Sequence, residues 1–116
     1  MNKFINKVNS GEILKMSDVI DYTEDGIASV AMVQRKSLTL TVFAFDKGQK
    51  LSTHKSNGDA FVQVLDGTVT INIDGIDFDL TAGESIIMPA ETPHAVMAKE
   101  RFKMLLTVVK PEEEPV

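Results

Sequence analysis

Residues 68–73 place Val69, Ile71 and Ile73 in alternation with Thr68, Thr70 and Asn72, and residues 76–80 alternate Ile76, Phe78 and Leu80 with Asp77 and Asp79. A period of two sends successive side chains to opposite faces of an extended chain, so each run reads as a half-buried strand. Between the runs stands Asp74-Gly75. A two-residue type I′ turn needs positive φ at both central positions, which aspartate tolerates and glycine adopts freely. The two runs therefore predict a β-hairpin with the aspartates on its solvated face.

The same signal recurs from Ile27 onward. Residues 37–46, 60–65, 85–88 and 102–109 are rich in Val, Ile, Leu, Phe and Thr, and residues 95–99 add a further short strand-like run. Turn residues punctuate them: Asp46-Lys47-Gly48, Asn57-Gly58-Asp59, Asp66-Gly67, Ala82-Gly83, and Pro89 with Pro93. Many short strands at such intervals mean an all-β sandwich or barrel, and periodicity does not choose between them. Residues 12–22 carry a Ser17-Asp18 cap signal but irregular apolar spacing, which leaves a short helical turn or an edge strand open. The expected organisation is a single domain with an N-terminal segment over residues 1–26 packing on the barrel, the barrel over residues 27–110, and an acidic tail over residues 111–116.

Composition sets the limits on function. A chain of 116 residues, 43% hydrophobic and 25% charged, suits one buried core in a protein that folds in water. No run approaches the roughly 20 apolar residues that cross a bilayer, and the first residues lack the apolar stretch of a secretory signal, so the expected address is the cytoplasm with no membrane partner. The absence of cysteine excludes thiolate catalysis, disulfides and thiolate-held zinc. A net charge of −5 without a basic, aromatic-laced cluster argues against nucleic acid. No G-x-S-x-G elbow, phosphate-binding glycine loop or dinucleotide fingerprint occurs.

Two spaced motifs decide between the β architectures. The first runs Gly48, five residues, His54, one residue, Ser56, three residues, Ala60, six residues, Gly67. The second runs Gly83, five residues, Pro89, one residue, Glu91, two residues, His94, three residues, Ala98. Together they resemble the paired signatures of the cupin superfamily, in the form of a small single-domain cupin with a degenerate metal site. The resemblance implies a jelly-roll barrel, the double-stranded β-helix. Gly48, Gly67, Gly83 and Pro89 read as turn-forming residues at strand ends, and Glu91 fits the family's glycine position if its φ is negative.

A typical cupin, as the resemblance implies, converges three histidines and a glutamate on one metal. Ser56, Ala60 and Ala98 stand here where the family has a histidine, the glutamate and an asparagine, so His54 and His94 are the metal ligands that remain. Two imidazoles fall short of the three protein ligands of a catalytic zinc site, and a serine hydroxyl is a poor ligand. The cofactor expectation is therefore none, or a weakly bound divalent metal. Asp59 supplies a carboxylate only if its strand is bulged, because regular pleating turns it away from position 60.

Regular pleating also puts His54 and Ser56 on one face, with His94 across the barrel. The candidate ligand-binding set is His54, Ser56, Ala60, Val62, His94, Val96 and Ala98. Phe43, Met88, Met97 and Met104 have undetermined facing, and Gln34 and Gln63 are further polar candidates. The leading reading is a small cupin that binds a small organic ligand through His54 and His94, as hydrogen-bond donors to an anion or carbonyl or as an acid–base pair. The alternative is a metal-dependent dioxygenase, isomerase or decarboxylase, so enzymatic activity stays open and the catalytic candidates are again His54 and His94. Small cupins commonly pair, and Phe43 and Phe45 on an edge sheet offer apolar surface for a homodimer.

Overall fold

The computed structural model describes residues 4–112. Eight strands follow one short 3-10 helix, Met16–Asp18: β1 Ile27–Gln34, β2 Leu38–Phe45, β3 Lys50–His54, β4 Asp59–Ile73, β5 Ile76–Thr81, β6 Ser85–Met88, β7 His94–Met97 and β8 Phe102–Val109. All pairings are antiparallel. The strand order is β1-β2-β8-β4-β7-β3, with β5 and β6 both also paired to β4. The sheet curls on itself into the all-β, double-stranded β-helix that the paired motifs implied.

The predicted hairpin is β4–β5, with Ile73 opposite Ile76 across Asp74-Gly75, whose φ values are +51° and +85°. Its aspartate face is laced across the strands: the Thr70 hydroxyl donates to Asp79 at 2.6 Å and the Asn72 amide to Asp77 at 2.8 Å. Leu80 is buried, whereas Ile76 and Phe78 on the same alternation stay exposed.

Residues 60–65 and 68–73 are not separate strands. They are the two halves of the 15-residue β4, which pairs with β6 and β8 through its first half and with β5 and β7 through its second. Asp66-Gly67, expected as a turn, is a bulge after Val64 that redirects the strand from one layer to the other. The inner faces of both layers build the main core, with Phe45, Val62, Ile71, Val96, Phe102 and Met104 at 1% exposure or less. Each large side chain buried there contributes about 2 kcal/mol by area.

A second apolar cluster lies around Ile20, Met32, Val42 and Ala44, where Val8, Met16, Val19 and Tyr22 of the N-terminal segment pack. Polar ties hold that segment. The Asn6 N–H donates to the Met32 carbonyl at 2.8 Å, Lys103 Nζ to the Ser17 carbonyl at 2.7 Å, and the Tyr22 hydroxyl to Asp66 at 2.6 Å. Burial and the Asp66 carboxylate push the Tyr22 phenol above its ordinary range. The Phe43 and Phe45 surface invoked for association does not exist as such: Phe45 is fully buried against Phe102 and Phe43 is half-buried against the core. Exposed apolar side chains on the strands include Phe61, Ile87 and Val109 instead.

Asp46 closes the turn after β2, its carboxylate accepting from the Asp25 and Lys47 N–H groups and from Arg101 Nε at 2.7 Å. The Arg101 hydrogen bond, foremost, holds its pKa down at about 2, from the usual 3.8. A carboxyl depressed in the folded state contributes stability that is full above pH 4 and is lost as the pH falls toward 2. Replacing Arg101 by Met is expected to shrink the difference in urea midpoint between pH 5 and pH 2.5, because Asp46 then titrates closer to its unfolded value.

Candidate functional site

His94 begins β7 and His54 ends β3, and the two are direct cross-strand partners. The register explains how. Leu51 pairs with Val96 and His54 with His94, so three steps along β3 match two along β7. Unbroken pleating from Leu51 would set Thr53 opposite His94. The extra residue of the bulge brings His54 onto the inward face that Leu51 already occupies.

The rings meet edge to face with centroids 4.4 Å apart and Nε2 to Nε2 at 3.2 Å. His54 Nδ1 lies 2.8 Å from the Ser52 carbonyl and His94 Nδ1 lies 3.1 Å from the Thr92 carbonyl. A carbonyl only accepts, so both Nδ1 atoms carry hydrogens and donate. Three contacts in a row then call for three protons, and two neutral imidazoles supply two. The pair is fully hydrogen-bonded only as a monocation with one proton held between the Nε2 atoms. Burial, opposed by the Thr92 carbonyl and assisted by charge on His54, lowers the pKa of His94, which is 3% exposed.

Beneath the pair lies a cavity of about 80 Å³. Its walls are Leu51, Ala60, Met88, Val96, Met104, Leu106 and Val108, with His54, His94 and Ser56 as its polar groups. Five residues of the sequence-derived set thus come together: His54, Ser56, Ala60, His94 and Val96. Val62 and Ala98 do not line the cavity and sit fully buried in the core. Met88 and Met104 face in, whereas Met97 is exposed. Gln34 is exposed at the end of β1, and Gln63 lies on β4 away from the cavity. Leu106 and Val108 were missed although they alternate with Met104 along β8; Leu51 was hidden by the bulge.

Ser56 is not on the strand of His54. It lies in the loop after β3, where its hydroxyl donates to the Gly58 carbonyl at 2.9 Å. Asp59 gives no ligand either, because its carboxylate accepts the Ala90 N–H at 2.8 Å. Among the described residues no group of three or more His, Cys, Asp or Glu could hold a metal ion. Two imidazoles, an engaged hydroxyl and the methyl of Ala60 do not fit a resident metal centre, which takes at least three protein donors.

Glu91, which fits the family's glycine position if φ is negative, has φ +59° and therefore occupies the left-handed region that its glycine counterpart takes without strain. The loop is pinned there by the Glu91 N–H, which donates to the Ser56 carbonyl at 2.8 Å. Glu91→Gly is expected to raise stability by about 1 kcal/mol, read as a higher denaturant midpoint.

Residues 41–109 match the cupin domain family. The chain belongs to the cupin family. This cupin is 41% identical to a conserved protein of unknown function from Streptococcus pyogenes, with 96% of this chain and 97% of that one covered at a TM-score of 0.92. A cupin superfamily protein from Desulfitobacterium hafniense is 26% identical over 94% of this chain and all of its own length, 100%, at 0.89. A cupin 2 conserved barrel domain protein from Leptotrichia buccalis is 45% identical over 81% of this chain and 46% of its own, at 0.80. Among curated proteins none matches. The cupin has no helix, among the described residues, long and apolar enough to cross a membrane.

Proposed function

We propose that this cupin binds a small organic ligand at the mouth of its barrel, with His54 and His94 as polar anchors and no resident metal. The observation that supports the reading is the Nε2–Nε2 contact of 3.2 Å at the rim of an otherwise apolar cavity of about 80 Å³. A site of this kind, apolar walls with a few convergent polar groups, suits organic ligands. Screening small polar organic compounds by thermal shift is expected to find ligands that stabilise the wild type and leave His54→Ala unmoved. Because His54 is exposed, that substitution spares the core. Elemental analysis of protein purified without a histidine tag is the opposing test: one transition-metal ion per chain overturns the metal-free reading.

The Nε2–Nε2 contact of 3.2 Å favours a second reading, acid–base catalysis on a bound substrate. A pair that passes a proton between two Nε2 atoms offers an acid and a base at one point of the cavity. Turnover would then depend on pH and vanish in both His54→Ala and His94→Ala.

A further inference from the structure

We infer that this cupin associates with a second copy of itself through the outer face of the layer that β1, β2, β8, the first half of β4 and β6 build, with Phe61, Ile87 and Val109 at the centre of the contact. The inference is independent of what the cavity holds.

Alternation along the strands fixes which side chains this face presents. Ala60, Met88, Leu106 and Val108 line the cavity, so their neighbours Phe61, Ile87, Thr107 and Val109 turn outward. Phe61 is the direct partner of Ile87 on one side and of Thr107 on the other, and Val109, opposite Asp59, lies diagonally beside it. On the other half of the same outer face, Val8, Met16 and Val19 of the N-terminal segment pack over Val42, Leu65 and Leu105. That cover stops short of the patch: Phe61 is 40% exposed, Ile87 55% and Val109 54%.

Area and charge select a second copy as the occupant. The three side chains leave roughly 300 Å² of apolar surface open, the size at which a patch on a single chain marks an association site. A standard interface covers about 450 Å² of apolar surface per partner, so the patch supports a dimer at the weak end of the range. The chain carries a net charge of −5, and two such copies repel unless they meet where charge is absent. This half of the face meets that condition among the described residues: besides its apolar groups it presents Gln63, Ser85 and Thr107, and the Asp59 carboxylate is taken up by the Ala90 N–H. The exposed pair on β5, Ile76 and Phe78, does not, because it shares a hairpin with Asp74, Asp77 and Asp79, which would face their own counterparts. Ile13 and Leu14 are exposed in an irregular stretch and build no flat face.

Sedimentation equilibrium of the full chain, read from about 5 to about 200 µM, tests this. The wild type is expected to dimerise with a dissociation constant in the micromolar range. Phe61→Asp and Ile87→Asp should each weaken the dimer by about tenfold or more, since a carboxylate buried in the contact finds no partner there. Both side chains are exposed in the single copy, so its core is spared. Phe78→Asp is the control and should leave the dimer as it is. Should a patch variant not fold, amide shifts of the wild type between dilute and concentrated samples, centred on Phe61, Ile87, Thr107 and Val109, give the same information. A chain that stays monomeric throughout the range overturns the inference, as does a dimer that persists in both patch variants or concentration-dependent shifts confined elsewhere.

Discussion

Gly67→Ala will destabilise the protein by about 3 kcal/mol or more, or leave it unfolded at room temperature. Two penalties add at this position. Its φ is +72°, which costs a residue with a Cβ about 1 kcal/mol. The added Cβ would also overlap the Arg101 carbonyl oxygen and come within 2.9 Å of that carbonyl's carbon. Those are backbone atoms at the start of the β4–β8 pairing, so relief requires the two strands to separate where Gly67 faces Phe102. Gly48→Ala is the control. Its φ is +86°, yet nothing lies within 4 Å of the added carbon, so about 1 kcal/mol is expected there. Urea denaturation of the two variants side by side checks the difference, and equal losses would show that conformation alone matters at Gly67.

Phe102→Ala is expected to cost about 4 kcal/mol. The ring is fully buried, with its centroid 4.7 Å from that of Phe45, also fully buried. Truncation removes the transfer free energy of the ring and opens a void that well-packed neighbours close only in part. Combining it with Phe45→Ala should give a loss about 1 kcal/mol smaller than the sum, since the aromatic contact is counted in each single change. Strict additivity in the urea midpoints would mean that the two rings do not support one another.

The fold was legible where local chemistry and tertiary role agree. Asp74-Gly75 between two period-two runs is such a place, because the turn needs only its own residues. Asp66-Gly67 carries the same letters and does something else, since a glycine at positive φ serves a bulge within a strand as well as a turn between strands. Which of the two it serves is settled by β8 and the layer beyond, not by neighbours in sequence. β3 was illegible for a related reason. Among Lys50, Leu51, Ser52, Thr53 and His54 only Leu51 is an aliphatic anchor, and the bulge breaks the alternation that would have tied it to His54.

At the site, spacing singled out His54 and His94, and the two rings do touch. Alternation told which face a wall residue takes but not how deep it lies, so Val62 joined the candidates though it is buried beyond the cavity. The placement of hydrogen on both Nδ1 atoms was beyond the sequence altogether. It follows from two carbonyls, Ser52 and Thr92, that any residues could supply.

One long strand serving both layers bears on how the molecule comes apart. Neither layer can peel away while the other persists, because β4 lends its first half to one and its second half to the other. Opening is then an all-or-none event for the whole barrel. The mouth therefore rests on a scaffold without an independently melting part, and its opening is confined to small shifts of the rim loops.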